Sequence, residues 1–312
     1  MEAQNYYDTK DIKGLSDIFC PGDVDIRPPA NSEYLRLYNN PLCPFAERAR
    51  LALAAKDFEF QTANINLNDK PKFFVEEGGN VPILEKTDGS LISSSDLIID
   101  FVKAQVGGVD LIPTSEDNKK EQQEFIDQFD SANFVTFMFK GLILGDEDNI
   151  QILLSHMAKI DEELSKNNEG NKFLNNQSEI TLADILFSPP LIRASFIISE
   201  SLRFKSASTL SMGKYPHLTK YLEDIHSHPK LKDHITPKLG WLNYVLSRNS
   251  NPEYKLPYPL DLTPLDDSQG KDTLFVLDGN TAKPRTNENY TRIFGHSLCP
   301  FVERARIAFA AK

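Results

Sequence analysis

The sequence predicts a small α/β domain followed by an all-helical one, and three observations predict it. Between residues 34 and 103 the hydrophobic pattern switches between strand and helix periods in the order βαβ then ββα. From about 115 to 248 the strand signals vanish and only helical patterns remain. Residues 34–56 (YLRLYNNPLCPFAERARLALAAK) also return at 290–312 (YTRIFGHSLCPFVERARIAFAAK), 256 residues further on, with 14 of 23 positions identical. That period suits a whole two-domain unit and is far too long for a solenoid repeat. The second copy stops at Lys312, inside its expected first helix, so the chain is read as a fragment of a tandem protein.

The elements follow from local pattern. YLRLY (34–38) alternates and is aromatic and aliphatic, which suits a strand. Pro44 to Lys56 is rich in alanine and leucine, with Pro44 at a first helical position, where its missing N–H costs nothing. FEFQTANINL (58–67) predicts a second strand and KPKFFVEE (70–77) a short helix. VPILEKTDGSLIS holds two short strands around the Asp88-Gly89 turn, and Asp96 to Lys103 closes the domain as a helix. In the helical part the clearest start is ITLADI: Thr181 as N-cap, Asp184 at N3, and Ile180 opposite Ile185 as a hydrophobic staple. Pro189 and Pro190 are expected to kink that helix. The expected organisation is an irregular extension (1–32), the α/β domain (33–106), the helical domain (114–250), a linker rich in proline, aspartate and asparagine (251–289), and the second copy (290–312).

Composition narrows the function classes. With 45 acidic against 34 basic residues the net charge is −11. Phosphate backbones and anionic membranes need a basic footprint, so neither is an expected partner. No run of 18 apolar residues occurs, and the N-terminus lacks a basic region followed by an apolar one. The three cysteines, Cys20, Cys43 and Cys299, are too few and odd in number for a disulfide framework. The expected class is an acidic cytoplasmic protein.

Cys43 is the sharpest chemical candidate. It follows a strand and precedes Pro44-Phe45, at the N-cap of the first helix. Free N–H groups and the positive helix end stabilise a thiolate there, and the thiolate is the nucleophile. Position 46 is alanine, so no internal dithiol partner exists and a second thiol must come from outside. Cys20, in FCPGD, precedes a turn rather than a helix and is read as an incidental thiol. Tyr38 is read as packing. The histidines at 217–234 lack ligand spacing and are read as surface residues, so no metal is expected.

LCPFAERARLALAAK, followed by NINLNDKPKFF, VPILE, SLISSSDLI, ITLADI, YPHL and HPKL, resembles the omega class of glutathione transferases over nearly all of 33–250. The resemblance implies a thioredoxin-like N-terminal domain, an all-helical C-terminal domain, and glutathione as co-substrate without a metal. It implies thiol transfer and dehydroascorbate reduction through a mixed disulfide between Cys43 and glutathione, in a homodimer or a tandem pseudo-dimer.

Glutathione contacts carried over from the family fall on Phe45 beside the cysteine and on Lys70 for the glycine-end carboxylate. Val81, before an expected cis Pro82, pairs with the cysteinyl part. Ser95 holds the γ-glutamyl carboxylate. Ser94 stands where the family has glutamate for the α-ammonium, and the EEGGN loop before Val81 is two residues short. Asp96 is adjacent but points elsewhere on an ideal helix. Trp241 is the candidate for the acceptor site. The rival readings are a non-catalytic scaffold of the same fold and a chloride-intracellular-channel-like protein. The second requires membrane insertion of a first helix that carries Glu47, Arg48 and Arg50.

Overall fold

The computed structural model describes residues 18–20, 22, 26–200, 204–238, 240–242 and 244–245. The expected linker and second copy, with Cys299, lie outside them.

The sheet is built on β2 (Leu35–Asn39), whose five residues are all buried. It pairs parallel with β3 (Phe60–Ile65), Leu35 opposite Phe60, and antiparallel with β4 (Ile83–Glu85), Tyr38 opposite Ile83. β5 (Leu91–Ser93) continues antiparallel on β4. A parallel pair needs a crossover, which α1 (Pro44–Ala55) supplies. The other edge departs from expectation. Residues 18–20 form a strand, β1 (Ile18–Cys20), parallel to β3 with Ile18 opposite Ala63, so the sheet order is β1-β3-β2-β4-β5. Three residues are too few to show a period, which is why the extension read as irregular. The short α2 (Lys72–Glu76) precedes β4, and α3 (Ser95–Lys103) follows β5.

The helical layer comprises α4 (Glu116–Phe129), α5 (Ser131–Met138), α6 (Glu147–Ser165), α7 (Leu182–Ser199) and α8 (Pro216–Ser227). α5 runs directly into a π-helical turn, Phe139–Ile143. α7 is the centre of this layer, with 16 of its 18 residues buried. By length and composition it is also apolar enough to cross a membrane, although it contains charged residues and 89% of it is buried inside the protein.

Its start is the expected capping box. The Thr181 N–H and hydroxyl donate to one Asp184 carboxylate oxygen at 2.7 and 3.0 Å, and the Leu174 N–H donates to the other at 3.0 Å. Burial pushes the Asp184 carboxyl up to about 6 against these bonds. The helix runs on through Pro189 and Pro190. Pro190 has no N–H for the Leu186 carbonyl, and that carbonyl instead accepts from Arg48 Nε at 3.0 Å. The proline that should weaken α7 thus frees the acceptor that ties it to α1.

Candidate active site

β2 delivers the chain to a three-residue loop, Asn40 to Leu42, and α1 starts at Pro44. Cys43 is the N-cap, with extended backbone (φ −76°, ψ 121°). Its N–H donates to the Asn40 carbonyl and its carbonyl accepts from the Glu47 N–H, both at 3.0 Å. The backbone is therefore satisfied, while the half-buried thiol takes no capping bond.

The three carbonyls ahead of Cys43 are all held by buried donors. Arg193, on α7, donates to the Leu42 carbonyl from Nη2 at 2.9 Å and Nε at 3.3 Å. The Thr236 hydroxyl donates to the Pro41 carbonyl at 2.7 Å, and Arg50 reaches the Asn40 and Pro41 carbonyls at 3.5 and 3.3 Å. Arg193 also pairs with Glu47, both fully buried, and the Thr236 N–H completes the carboxylate at 3.1 Å. Its guanidinium lies 5.2 Å from the centroid of the Trp241 ring. The helical layer thus fixes the loop that presents the thiol. Glu47, Arg48 and Arg50, the charges that the first helix carries, are all buried. Each is turned inward because backbone carbonyls or an opposite charge await it there, as a buried charge requires.

Arg48 has no carboxylate partner in hydrogen-bond range among the described residues. It donates to the Leu186 and Ser131 carbonyls and lies 5.2 Å from the Phe45 ring centroid. Burial pushes it down to about 10, with the Asp96 carboxylate and the Cys43 sulfur acting in the opposite direction.

Two cavities meet at Phe45. The larger, about 480 Å³, is walled by Leu42, Cys43, Phe45, Val135, Phe139 and Trp241 among others. The second, about 380 Å³, is walled by Phe45, Val81, Pro82, Ser94, Ser95 and two acids, Glu77 and Asp96. The Val81–Pro82 bond is cis. Ser94 has φ +85° and caps α3 by accepting from the Leu97 N–H at 3.4 Å.

Phe45, Val81, Pro82, Ser94 and Ser95 are therefore brought together around one cleft, and Cys43 and Trp241 around the adjoining one. Lys70 is the exception: its Nζ donates to the Gly79 carbonyl at 2.7 Å and it lines neither cavity. In the shortened loop a carbonyl lies within the lysine's reach. Asp96 departs in the other direction. It lines the cleft, because α3 begins one residue earlier than the sequence suggested.

Three further residues gain a defined environment. Tyr38 donates its hydroxyl to Glu85 at 3.1 Å, so it is a member of a buried polar network as well as packing. Cys20 is a core residue of β1, and burial pushes its thiol up to about 11. His234 is half-buried, 5.3 Å from the Phe60 ring, and burial followed by Arg50 brings it down to about 4. The cavity wall from α5 and the π turn (Val135, Thr136, Met138, Phe139, Lys140) was missed. Its sequence, NFVTFMFK, carries only a generic apolar helix pattern.

A thioredoxin-like mixed sheet, a helix-start cysteine beside a cis-proline cleft, and an all-helical layer docked on both define the glutathione-transferase architecture. The glutathione S-transferase N-terminal domain family matches residues 37–109. Rat glutathione S-transferase omega-1 is 28% identical over 52% of this chain and 67% of its own length. Among solved structures, glutathione transferase Omega 1C from Trametes versicolor superposes with a TM-score of 0.58 at 20% identity, covering 70% of this chain and 98% of that one. The Chlamydomonas reinhardtii dehydroascorbate reductase does so at 0.55 and 20%, covering 67% and 95%. The chain thus has the glutathione-transferase fold, matches that family's N-terminal domain, and is similar to omega-class members.

Proposed function

We propose that the protein is a glutathione-dependent thiol transferase in which Cys43 forms a mixed disulfide with glutathione. The observation that carries this reading is the Cys43 thiol, uncommitted at a helix start and placed where an apolar cavity meets a cis-proline cleft at Phe45. The cleft receives glutathione: the Val81 backbone faces its cysteinyl part, and Ser95 and the first turn of α3 take the γ-glutamyl carboxylate. Lys70 binds the glycine end after releasing the Gly79 carbonyl. The Cys43 thiolate attacks the glutathionyl sulfur of a mixed disulfide, the S–S bond breaks, and the other thiolate leaves and takes a proton from water. A second glutathione thiolate then attacks the glutathionyl sulfur on Cys43, releasing oxidised glutathione and regenerating the enzyme thiolate. The net change is one disulfide reduced and one glutathione disulfide formed. Dehydroascorbate reduction consumes two free glutathiones in a cytoplasmic setting: the Cys43 thiolate adds to a dehydroascorbate carbonyl, one glutathione thiolate attacks the Cys43 sulfur and expels ascorbate, and a second glutathione releases oxidised glutathione from Cys43.

Mass spectrometry of protein treated with oxidised glutathione tests the step. A single glutathionyl adduct on the peptide containing Cys43, removed by added glutathione, is expected. An adduct elsewhere, or none, would remove the proposal. The scaffold reading draws on Ser94 in place of glutamate, and a glutathione-affinity column separates it: folded protein that fails to bind favours the scaffold.

A further inference from the structure

The two cavities on either side of Phe45 differ in charge. The cleft carries the acids Glu77 and Asp96 and no cation. The larger cavity carries no acid and one cation, Lys140, in a wall otherwise apolar or neutral: Leu42, Val135, Met138, Phe139 and Trp241 are its main surfaces. Lys140 thus shares a cavity wall with Cys43.

Its placement is fixed by backbone. Phe139 and Lys140 open the π-helical turn that ends α5, and such turns re-aim side chains relative to an ordinary helix. The turn is pinned by Gly141, where an added Cβ would lie 2.9 Å from the Ile150 backbone nitrogen at the start of α6. Lys140 itself is exposed, and among the described residues no carboxylate lies within ion-pair distance of its Nζ. Asp146 is the acid it acts on, and that carboxylate is taken by the Asn149 N–H and side chain at 2.9 and 2.8 Å.

We infer that the larger cavity selects acceptors with an apolar body and an anionic group, the anion meeting Lys140 as the sulfur meets Cys43. The inference rests on the thiol-transfer reading and specifies its substrate class: glutathione mixed disulfides of apolar, acidic thiols. The glutathionyl half occupies the acidic cleft, where its ammonium is favoured, and the acidic thiol occupies the cavity with the lysine. Opposite linings would thus orient an asymmetric disulfide so that Cys43 takes the glutathionyl sulfur and the acidic thiolate leaves toward Lys140.

The test uses two substrates of one shape, the mixed disulfides of glutathione with a mercaptobenzoate and with the matching mercaptobenzamide. The full chain should turn over the carboxylate with kcat/KM about three- to fivefold higher, the range of an exposed ion pair. Lys140→Met should bring that ratio to about one, and Lys140→Glu should invert it, the carboxylate-to-amide ratio within each variant being the readout. About 1 M salt, where the screening length is about 3 Å, should erase the preference in the parent protein. Equal turnover of the two substrates by parent and Lys140→Met overturns the inference and leaves the thiol-transfer reading in place. No turnover of either substrate overturns both.

Discussion

Cys43 and Cys20 are the same residue type in the same sheet-bearing half of the molecule, and they have opposite surroundings. Cys43 sits where a strand ends and a helix begins, its thiol half-buried and facing a cavity. Cys20 lies on the edge strand β1, 2% exposed, packed with Tyr38, Ala63, Ile65 and Phe73. Burial raises its thiol to about 11, with the more distant Arg36 acting the other way, so at neutral pH its thiolate is about one part in ten thousand. The contrast teaches that a thiol's surroundings belong to its position: a helix start beside a cavity leaves one sulfur accessible, and an apolar shell makes the other a small hydrophobe.

The strongest way to break the comparison is to exchange each thiol in turn. Cys43→Ala should retain less than about a tenth of thiol-transfer activity with the fold intact, since the thiol makes no capping bond whose loss would weaken α1. Cys20→Ala should keep the activity. If Cys43→Ala kept substantial activity, the nucleophile would lie elsewhere. Alkylation followed by peptide mapping gives the same contrast without an assay of activity. Iodoacetamide should label Cys43 in native protein and label Cys20 only in denaturant. Equal native labelling would mean that the β1 edge opens readily.

The next effect concerns how Cys43 is held. Arg193→Met leaves Glu47 charged, buried and unpaired, which costs about 3–5 kcal/mol. It also releases the Leu42 carbonyl next to the nucleophile. A large drop in the urea midpoint is expected, with partial recovery in Arg193→Lys, which keeps the charge without the fork. A midpoint unchanged within error would show that the α7 clamp contributes nothing to the loop.

A smaller effect is pH-dependent. His234 titrates near 4 in the folded protein, against about 6.5 for a free histidine. Because folding lowers this value, the neutral ring's contribution is complete above about pH 6.5 and is lost as pH falls toward 4. Asp184 works in the opposite sense. Its folded value near 6 lies above that of a free carboxyl, so its contribution is present below about pH 4 and is lost as pH rises through 6. The difference between parent and His234→Gln isolates the histidine. The parent should lose on the order of 1–3 kcal/mol more between pH 7 and pH 4.5. Parallel stability curves would place His234 in water. The smallest effect is at the cleft, where Ser94→Glu should tighten glutathione binding by up to about fivefold in calorimetry. No gain would show that Asp96 or Glu77 already meets the ammonium.

Much of this architecture was legible in sequence because its causes are local. The alternation of YLRLY, the alanine-rich run after Pro44, the Asp88-Gly89 turn and the Thr181–Asp184 capping box each act over a few residues. The same holds for Cys43 as an N-cap, which needs only the strand before it and the helix after it.

What the tertiary structure alone decided are pairings across long separations. Arg193 meets Leu42 and Glu47 across about 150 residues, and Arg48 meets Leu186 across nearly as many. The three charges of α1 are buried because their partners come from distant elements, and no periodicity encodes a partner. Cys20 went from incidental to core for the same reason, since a three-residue edge strand is defined only by its neighbour β3. The cavity with Lys140 depends on a π turn pressed against α6. By itself the sequence determined which thiol stands at a helix start, through backbone geometry within one turn of helix. The docking of the helical layer decided what holds that thiol in place and what can approach it, because burial and electrostatics are set by whatever packs nearby in space.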